Sequence, residues 1–207
     1  MTQYGFYFDN SRCTGCKTCE LACKDYHNLD VNHTYRHVYV YEGGTWELAA
    51  NGTWSQGAFA YHVSLSCNHC GEPVCMKVCP TGAMHREDFG IVKVNKRVCI
   101  GCGYCTLACP YDAPTVSRVT HTSTKCDGCL DLQLEHKKSI CVEACPHRAL
   151  EFDDILVLRS KYGSLASIAP LPEEHHTLPN LVIKPSPAAR PPDDVEGFIA
   201  NPKEVKP

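Results

Sequence analysis

The chain is 207 residues long, enough for one large domain or two small ones. Its net charge is −3 with no basic stripe, which speaks against nucleic-acid binding, and no run of 18 apolar residues offers a membrane span. Sixteen cysteines stand beside a hydrophobic fraction of only 43%, so something other than an apolar core must hold part of the fold together.

The cysteines fall into four groups along the sequence. The first dozen residues show neither a charged-then-apolar leader nor a twin-arginine motif. Cys13, Cys16, Cys19 and Cys23 follow, spaced C-x2-C-x2-C-x3-C. Residues 33–66 read as strands: Tyr35–Tyr41 alternates aromatic and β-branched residues, Gly43-Gly44 marks a turn, and Ala58–Ser66 is a second run. Trp46 and Trp54 lie here, and the expectation is that they pack a small sheet rather than face a partner. The second group is Cys67, Cys70, Cys75 and Cys79, spaced C-x2-C-x4-C-x3-C, with Pro80 after it. Gly90–Val94 then predicts a short strand. The third group is Cys99, Cys102, Cys105 and Cys109, spaced like the first and followed by Pro110. The fourth is Cys126, Cys129, Cys141 and Cys145, with an eleven-residue middle gap and Pro146 after it.

Three thiolates at C-x2-C-x2-C let a tight loop wrap one iron–sulfur cube, and the cysteine three residues on, expected to start a helix, reaches the neighbouring cube. Four such runs predict four [4Fe–4S] clusters. A disulfide scaffold would lack the repeated C-x2-C grammar. Zinc sites use separated C-x2-C pairs without the C-x3-C-P ending; only the stretched fourth group has that look.

The short gap between groups two and three reads as one ferredoxin-like repeat, so these two pair as a two-cluster module, and groups one and four pair by elimination. The ligand sets are then Cys13, Cys16, Cys19 with Cys145; Cys126, Cys129, Cys141 with Cys23; Cys67, Cys70, Cys75 with Cys109; and Cys99, Cys102, Cys105 with Cys79. The other nesting, group one with two and three with four, stays open. The expected fold is α+β: residues 1–32 and 115–168 form one ferredoxin-like module, 67–114 the other, 33–66 are inserted strands, and 169–207 are an extended arm. Residues 154–162 predict a helix stopped by Gly163. Nine of the 14 prolines lie at positions 170–207, a composition that builds no packed core of its own, so the arm, anchored by Leu181-Val182-Ile183, is expected to lie on a partner. The acidic excess also lies late in the sequence, beyond residue 150. His69, inside Cys67-Asn68-His69-Cys70, replaces no cysteine and reads as a neighbour of the site or a solvent residue. Lys17, Lys24, Lys77 and Lys125 could raise cluster potentials, but ordinary solvated charge is the simpler expectation. No carboxylate pair, nucleophile with base or phosphate loop stands out, so the chain is expected to be no enzyme by itself.

The segment from Arg12 to Asp25, Arg12-Cys13-Thr14-Gly15-Cys16-Lys17-Thr18-Cys19-Glu20-Leu21-Ala22-Cys23-Lys24-Asp25, resembles the iron–sulfur subunits of the molybdopterin oxidoreductase family. So do Ser66-Cys67-Asn68-His69-Cys70, Asn180-Leu181-Val182-Ile183-Lys184-Pro185 and Ala200-Asn201-Pro202-Lys203-Glu204, and the likeness spans essentially the whole sequence. The resemblance implies an electron relay between two partners. One is an integral membrane anchor subunit that oxidises quinol; the other is a molybdopterin catalytic subunit that reduces S-oxides or N-oxides such as dimethyl sulfoxide. It places the Cys13, Cys16, Cys19, Cys145 cluster nearest the catalytic subunit and the Cys99, Cys102, Cys105, Cys79 cluster nearest the membrane. Similar subunits with tryptophan at the second position of group three carry a three-iron cluster; Cys102 stands there, so four cubanes are expected. The chain is expected to be assembled in the cytoplasm, where thiols stay reduced, and to work peripherally at the membrane through its partners, exported with the catalytic one.

Overall fold

The computed structural model describes residues 2–31 and 33–205. β1 (Tyr4–Asp9) opens the fold, and the loop with Cys13 and Cys16 leads into α1 (Thr18–Tyr26). β2 (Arg36–Gly43), a hairpin of β3 (Trp46–Leu48) and β4 (Trp54–Gln56), and β5 (Phe59–Ser66) follow. Next come α2 (Val74–Lys77), the hairpin β6 (Met84–Arg86) and β7 (Val92–Val94), α3 (Tyr104–Ala108), and the hairpin β8 (Thr115–Val116) and β9 (Ser123–Thr124). The last stretch runs through α4 (Leu130–Leu134), α5 (Ile140–Glu143), β10 (Leu150–Asp154), α6 (Ile155–Tyr162), β11 (Leu181–Lys184), β12 (Gly197–Ile199) and α7 (Pro202–Val205). This is a mixed helix–strand fold of short elements.

Two three-stranded sheets frame it. In the first, β1 lies between β10, antiparallel, and β11, parallel. In the second, β2 lies between β5 and β12, both antiparallel. β1 is buried on both faces: Phe6 and Phe8 enter the main core, while Tyr7 packs with Ile155, Leu158 and Val182 and stacks on Tyr162 at a centroid distance of 3.7 Å. A strand apolar on both faces lacks the alternation that betrays a half-buried one, and neither β1 nor β10 is foreseen from the sequence. The main core joins these strands to Val38, Tyr61, Val63 and Leu65 of the second sheet, and to Cys19, Cys141 and Cys145.

The arm lies extended on this protein's own body. It supplies an edge strand to each sheet: β11 beside β1, with Leu181, Val182 and Ile183 buried, and β12 beside β2, with α7 packed on the same strand. Proline is tolerated at sheet edges and strand ends, where no ladder donor is lost, so a proline-rich segment can frame a core it could not build. Trp46 and Trp54 depart from expectation, at 65% and 61% exposed. They stand with Leu48 on a two-stranded hairpin that has no second layer to pack against. The strand expected at Gly90–Val94 begins only at Val92, because Asp88–Gly90 forms a 3₁₀ turn that closes the hairpin onto β6.

α6 carries both of its end signals: the Asp154 carboxylate accepts the Leu156 N–H at 2.8 Å, and Gly163, at φ +91°, ends the helix. Asp154→Ala removes the cap, about 1 kcal/mol. The thermal bleaching midpoint of the cluster-loaded protein should fall by about 2–4 °C.

Candidate metal centre: four thiol cages

The short helices place the cysteines. In every group the third cysteine sits inside a helix (Cys19 in α1, Cys75 in α2, Cys105 in α3, Cys141 in α5) and the fourth comes one turn later. In groups two, three and four that fourth residue lies just beyond the helix, so it ends the helix instead of starting it. One turn of separation lets one cysteine look back to its own loop and the other look onward to the next cage.

The structure gathers the thiols into four cages. Cys13, Cys16, Cys19 and Cys145 line one cavity; Cys67, Cys70, Cys75 and Cys109 line a second; Cys79, Cys99, Cys102 and Cys105 line a third. Burial raises the Cys23 pKa, and Cys126, Cys141 and Cys129 lie close enough to add to that rise, which makes the fourth. Groups two and three are interleaved with each other, and so are groups one and four; the nesting of one with two is absent.

The donor set fits an iron–sulfur group. In three of the cages four thiols line one shared cavity, the all-cysteine donor set that a [4Fe–4S] cluster takes. Burial and neighbouring thiols push Cys13 and Cys75 up to about 11, Cys70 and Cys109 up to about 12, and Cys23 and Cys129 higher still. Thiols crowded this way ionise together only around cationic metal. Donors are already aimed at sulfur: Ser123 N–H at Cys99 (3.3 Å), Gly128 N–H at Cys126 (3.4 Å), Ala149 N–H at Cys145 (3.3 Å) and the Thr18 hydroxyl at Cys16 (3.4 Å).

Two buried cations accompany the cages. Arg36 donates to the Ser64 and Ser66 hydroxyls at 3.1 and 2.9 Å and lies over the Phe6 ring, while its Nε has no hydrogen-bond partner among the described residues. Burial works against its charge. The thiols of Cys141, Cys19, Cys126 and Cys23, from the first and fourth cages, outweigh that and raise its pKa. Lys125, 5% exposed, donates to the Val92 and Cys126 carbonyls and to Cys67 Sγ at 3.4 Å. The expectation of solvated charge therefore fails for Lys125. Lys77 does reach solvent and pairs with Glu72, Lys17 pairs with Glu204 at 2.5 Å, and Lys24 ties down the Val31 and His33 carbonyls. Arg36 escapes a reading of the sequence because only tertiary contact sets it near thiols: it stands 13 positions from the nearest cysteine.

Cys16 and Cys102 are exposed, one in the first cage and one in the third, while the second and fourth cages have no exposed cysteine. Four four-thiol cages on short helices define an iron–sulfur protein of the ferredoxin class. A 4Fe-4S dicluster domain matches residues 58–155 and a 4Fe-4S binding domain matches residues 10–31. The B subunit of anaerobic dimethyl sulfoxide reductase from Escherichia coli K12 is 57% identical over 204 residues, 99% of each sequence. This protein belongs to the family of dimethyl sulfoxide reductase iron–sulfur subunits. The B subunit of polysulfide reductase from Wolinella succinogenes is 38% identical over 188 residues, 89% of this sequence and 95% of that one. Thiosulfate reductase electron transfer subunit PhsB of Salmonella typhi is 39% identical over 151 residues, 72% and 75%. The cofactors of the present protein are [4Fe–4S] clusters, four for sixteen cysteines. No helix among the described residues is long and apolar enough to cross a membrane.

Proposed function

We propose that this protein is the non-catalytic relay of a three-part reductase, passing electrons from a quinol-oxidising membrane subunit to a molybdopterin subunit that reduces S-oxides or N-oxides such as dimethyl sulfoxide. The observation that carries this reading is the run of adjoining cages: Arg36 lies beside thiols of the first and fourth, Lys125 and His69 beside thiols of the fourth and second, and Cys75 meets Cys105 between the second and third, so the exposed Cys16 and Cys102 fall in the two end cages. The four thiol sets given above are proposed as the ligand sets. Residues 1–32 with 115–168 would form one two-cluster module and 67–114 the other, with 169–207 strapped over both.

A bound cluster supplies a site that takes up and releases one electron at a time, at a potential set by its surroundings. The protein's own part is to exclude water and hold each sulfur. Backbone N–H groups at Cys99, Cys126 and Cys145 and the hydroxyls of Thr18 and Ser64 stabilise negative charge there. The end at Cys102 is rimmed by exposed Val98, Ile100, Tyr104 and Leu107, an apolar surface suited to a partner, and we assign it to the membrane subunit. The Cys16 end then faces the catalytic subunit.

Purification without oxygen, with partner subunits retained, should give about 16 irons per copy of this protein. It should co-migrate with a larger subunit on gel filtration. A small, unaccompanied, iron-loaded species would instead mark a free polyferredoxin.

A further inference from the structure

Three of the four first C-x2-C loops place glycine just before the second cysteine. Gly15, Gly101 and Gly128 stand there at φ of +70°, +67° and +70°. In that left-handed region a Cβ costs about 1–2 kcal/mol. The loop Cys67-Asn68-His69-Cys70 puts His69 at the same position, at φ +44° and fully buried. A residue held against its backbone preference persists only where its surroundings over-determine it, and such residues gather at functional sites.

The surroundings here are specific. His69 Nδ1 accepts the Val92 N–H at 3.1 Å, so the ring proton sits on Nε2, which lies 4.0 Å from Cys126 Sγ. The other edge of the ring lies 4.0 Å from Cys67 Sγ. Lys125 closes the same gap, donating to Cys67 Sγ and to the carbonyls of Val92 and Cys126. From the far side, Asn180 of the arm donates to the His69 carbonyl at 2.7 Å. Cys67 belongs to the second cage and Cys126 to the fourth, the two inner ones, so one imidazole and one ammonium fill the space between two cages from different cysteine pairings.

We infer that Lys125 and His69 form an electrostatic wedge between the two inner cages, setting the reduction potentials of the clusters they hold. The inference deepens the relay reading and rests on it. An added electron makes a cluster more negative, and a positive charge or N–H fixed against its sulfur in a low-dielectric interior favours that state. The junction of the second and third cages differs in kind, since Cys75 and Cys105 meet there across Met84 and Val92.

The test is an EPR-monitored redox titration of the complex, purified without oxygen, for the unaltered protein and for Lys125→Met, Lys125→Arg and His69→Gly. Lys125→Met should lower the potentials of both inner clusters by about tenfold in their one-electron equilibrium, about 59 mV, and leave the two outer clusters in place. Lys125→Arg should restore most of the shift. His69→Gly suits the loop, as its three sister loops show, so it should keep all four clusters and still lower the same pair. Should Lys125→Met fail to assemble, His69→Gly decides. Unchanged potentials with full iron content overturn the wedge. Loss of the inner clusters in both variants, with the outer pair kept, reduces the two residues to structural supports and overturns it as well. Too little iron in the unaltered protein would instead refute the relay reading.

Discussion

Deleting residues 171–207 should leave almost no folded, iron-loaded protein. The segment contributes Leu181, Val182 and Ile183, at 3%, 0% and 1% exposure, to the sheet on β1. Burying such side chains contributes about 1.5–3 kcal/mol each, about 5–9 kcal/mol for the three. Whole domains of this kind are stable by only about 5–15 kcal/mol. The segment also grips the second cysteine group: Gly71 N–H donates to the Leu178 carbonyl at 2.7 Å, Glu72 N–H to Thr177 at 2.9 Å, and Asn180 to the His69 carbonyl. Thr177 lines the second cage itself. An arm that only lay on a partner would leave cluster content intact when removed; one that carries part of the core and of the second cage should not. Soluble yield and iron content measure the outcome; a soluble truncated protein with a full complement of iron would show that the arm is dispensable to the fold.

Cys102→Ser should cost one cluster and spare three. A serine hydroxyl stays protonated at neutral pH and offers no thiolate to iron. The third cage then either keeps a three-iron remnant or empties, and iron falls from about 16 to between about 12 and 15 per protein. The damage should stay local. Cys102 is exposed at the end of the series, and the inner cages are held by Arg36, Lys125 and the two sheets. EPR should show one altered signal and three retained; equal loss of all four would mean that the cages do not form independently. Electron delivery to the catalytic partner should drop sharply, since the altered cage is the one we assign to the membrane side.

Much of the site was legible in the residues alone because its grammar is local. A C-x2-C-x2-C-x3-C run dictates a loop and one helical turn whatever surrounds it, so the donor type, the count of sixteen and the expected number of clusters follow from spacing. The cap at Asp154 and the stop at Gly163 are local in the same way. Tertiary structure decided everything that depends on distant partners. It turned a proline-rich arm into edge strands, because β1 and β2 each had an edge to complete. It left Trp46 and Trp54 bare, because nothing lies over their hairpin. It buried Arg36 and Lys125 against thiols and carbonyls, and it aimed a strained His69 between two cages. The identity of a side chain is written in the sequence, but the dielectric around its charge is set by whichever segments fold over it, and here those segments come from far along the polypeptide.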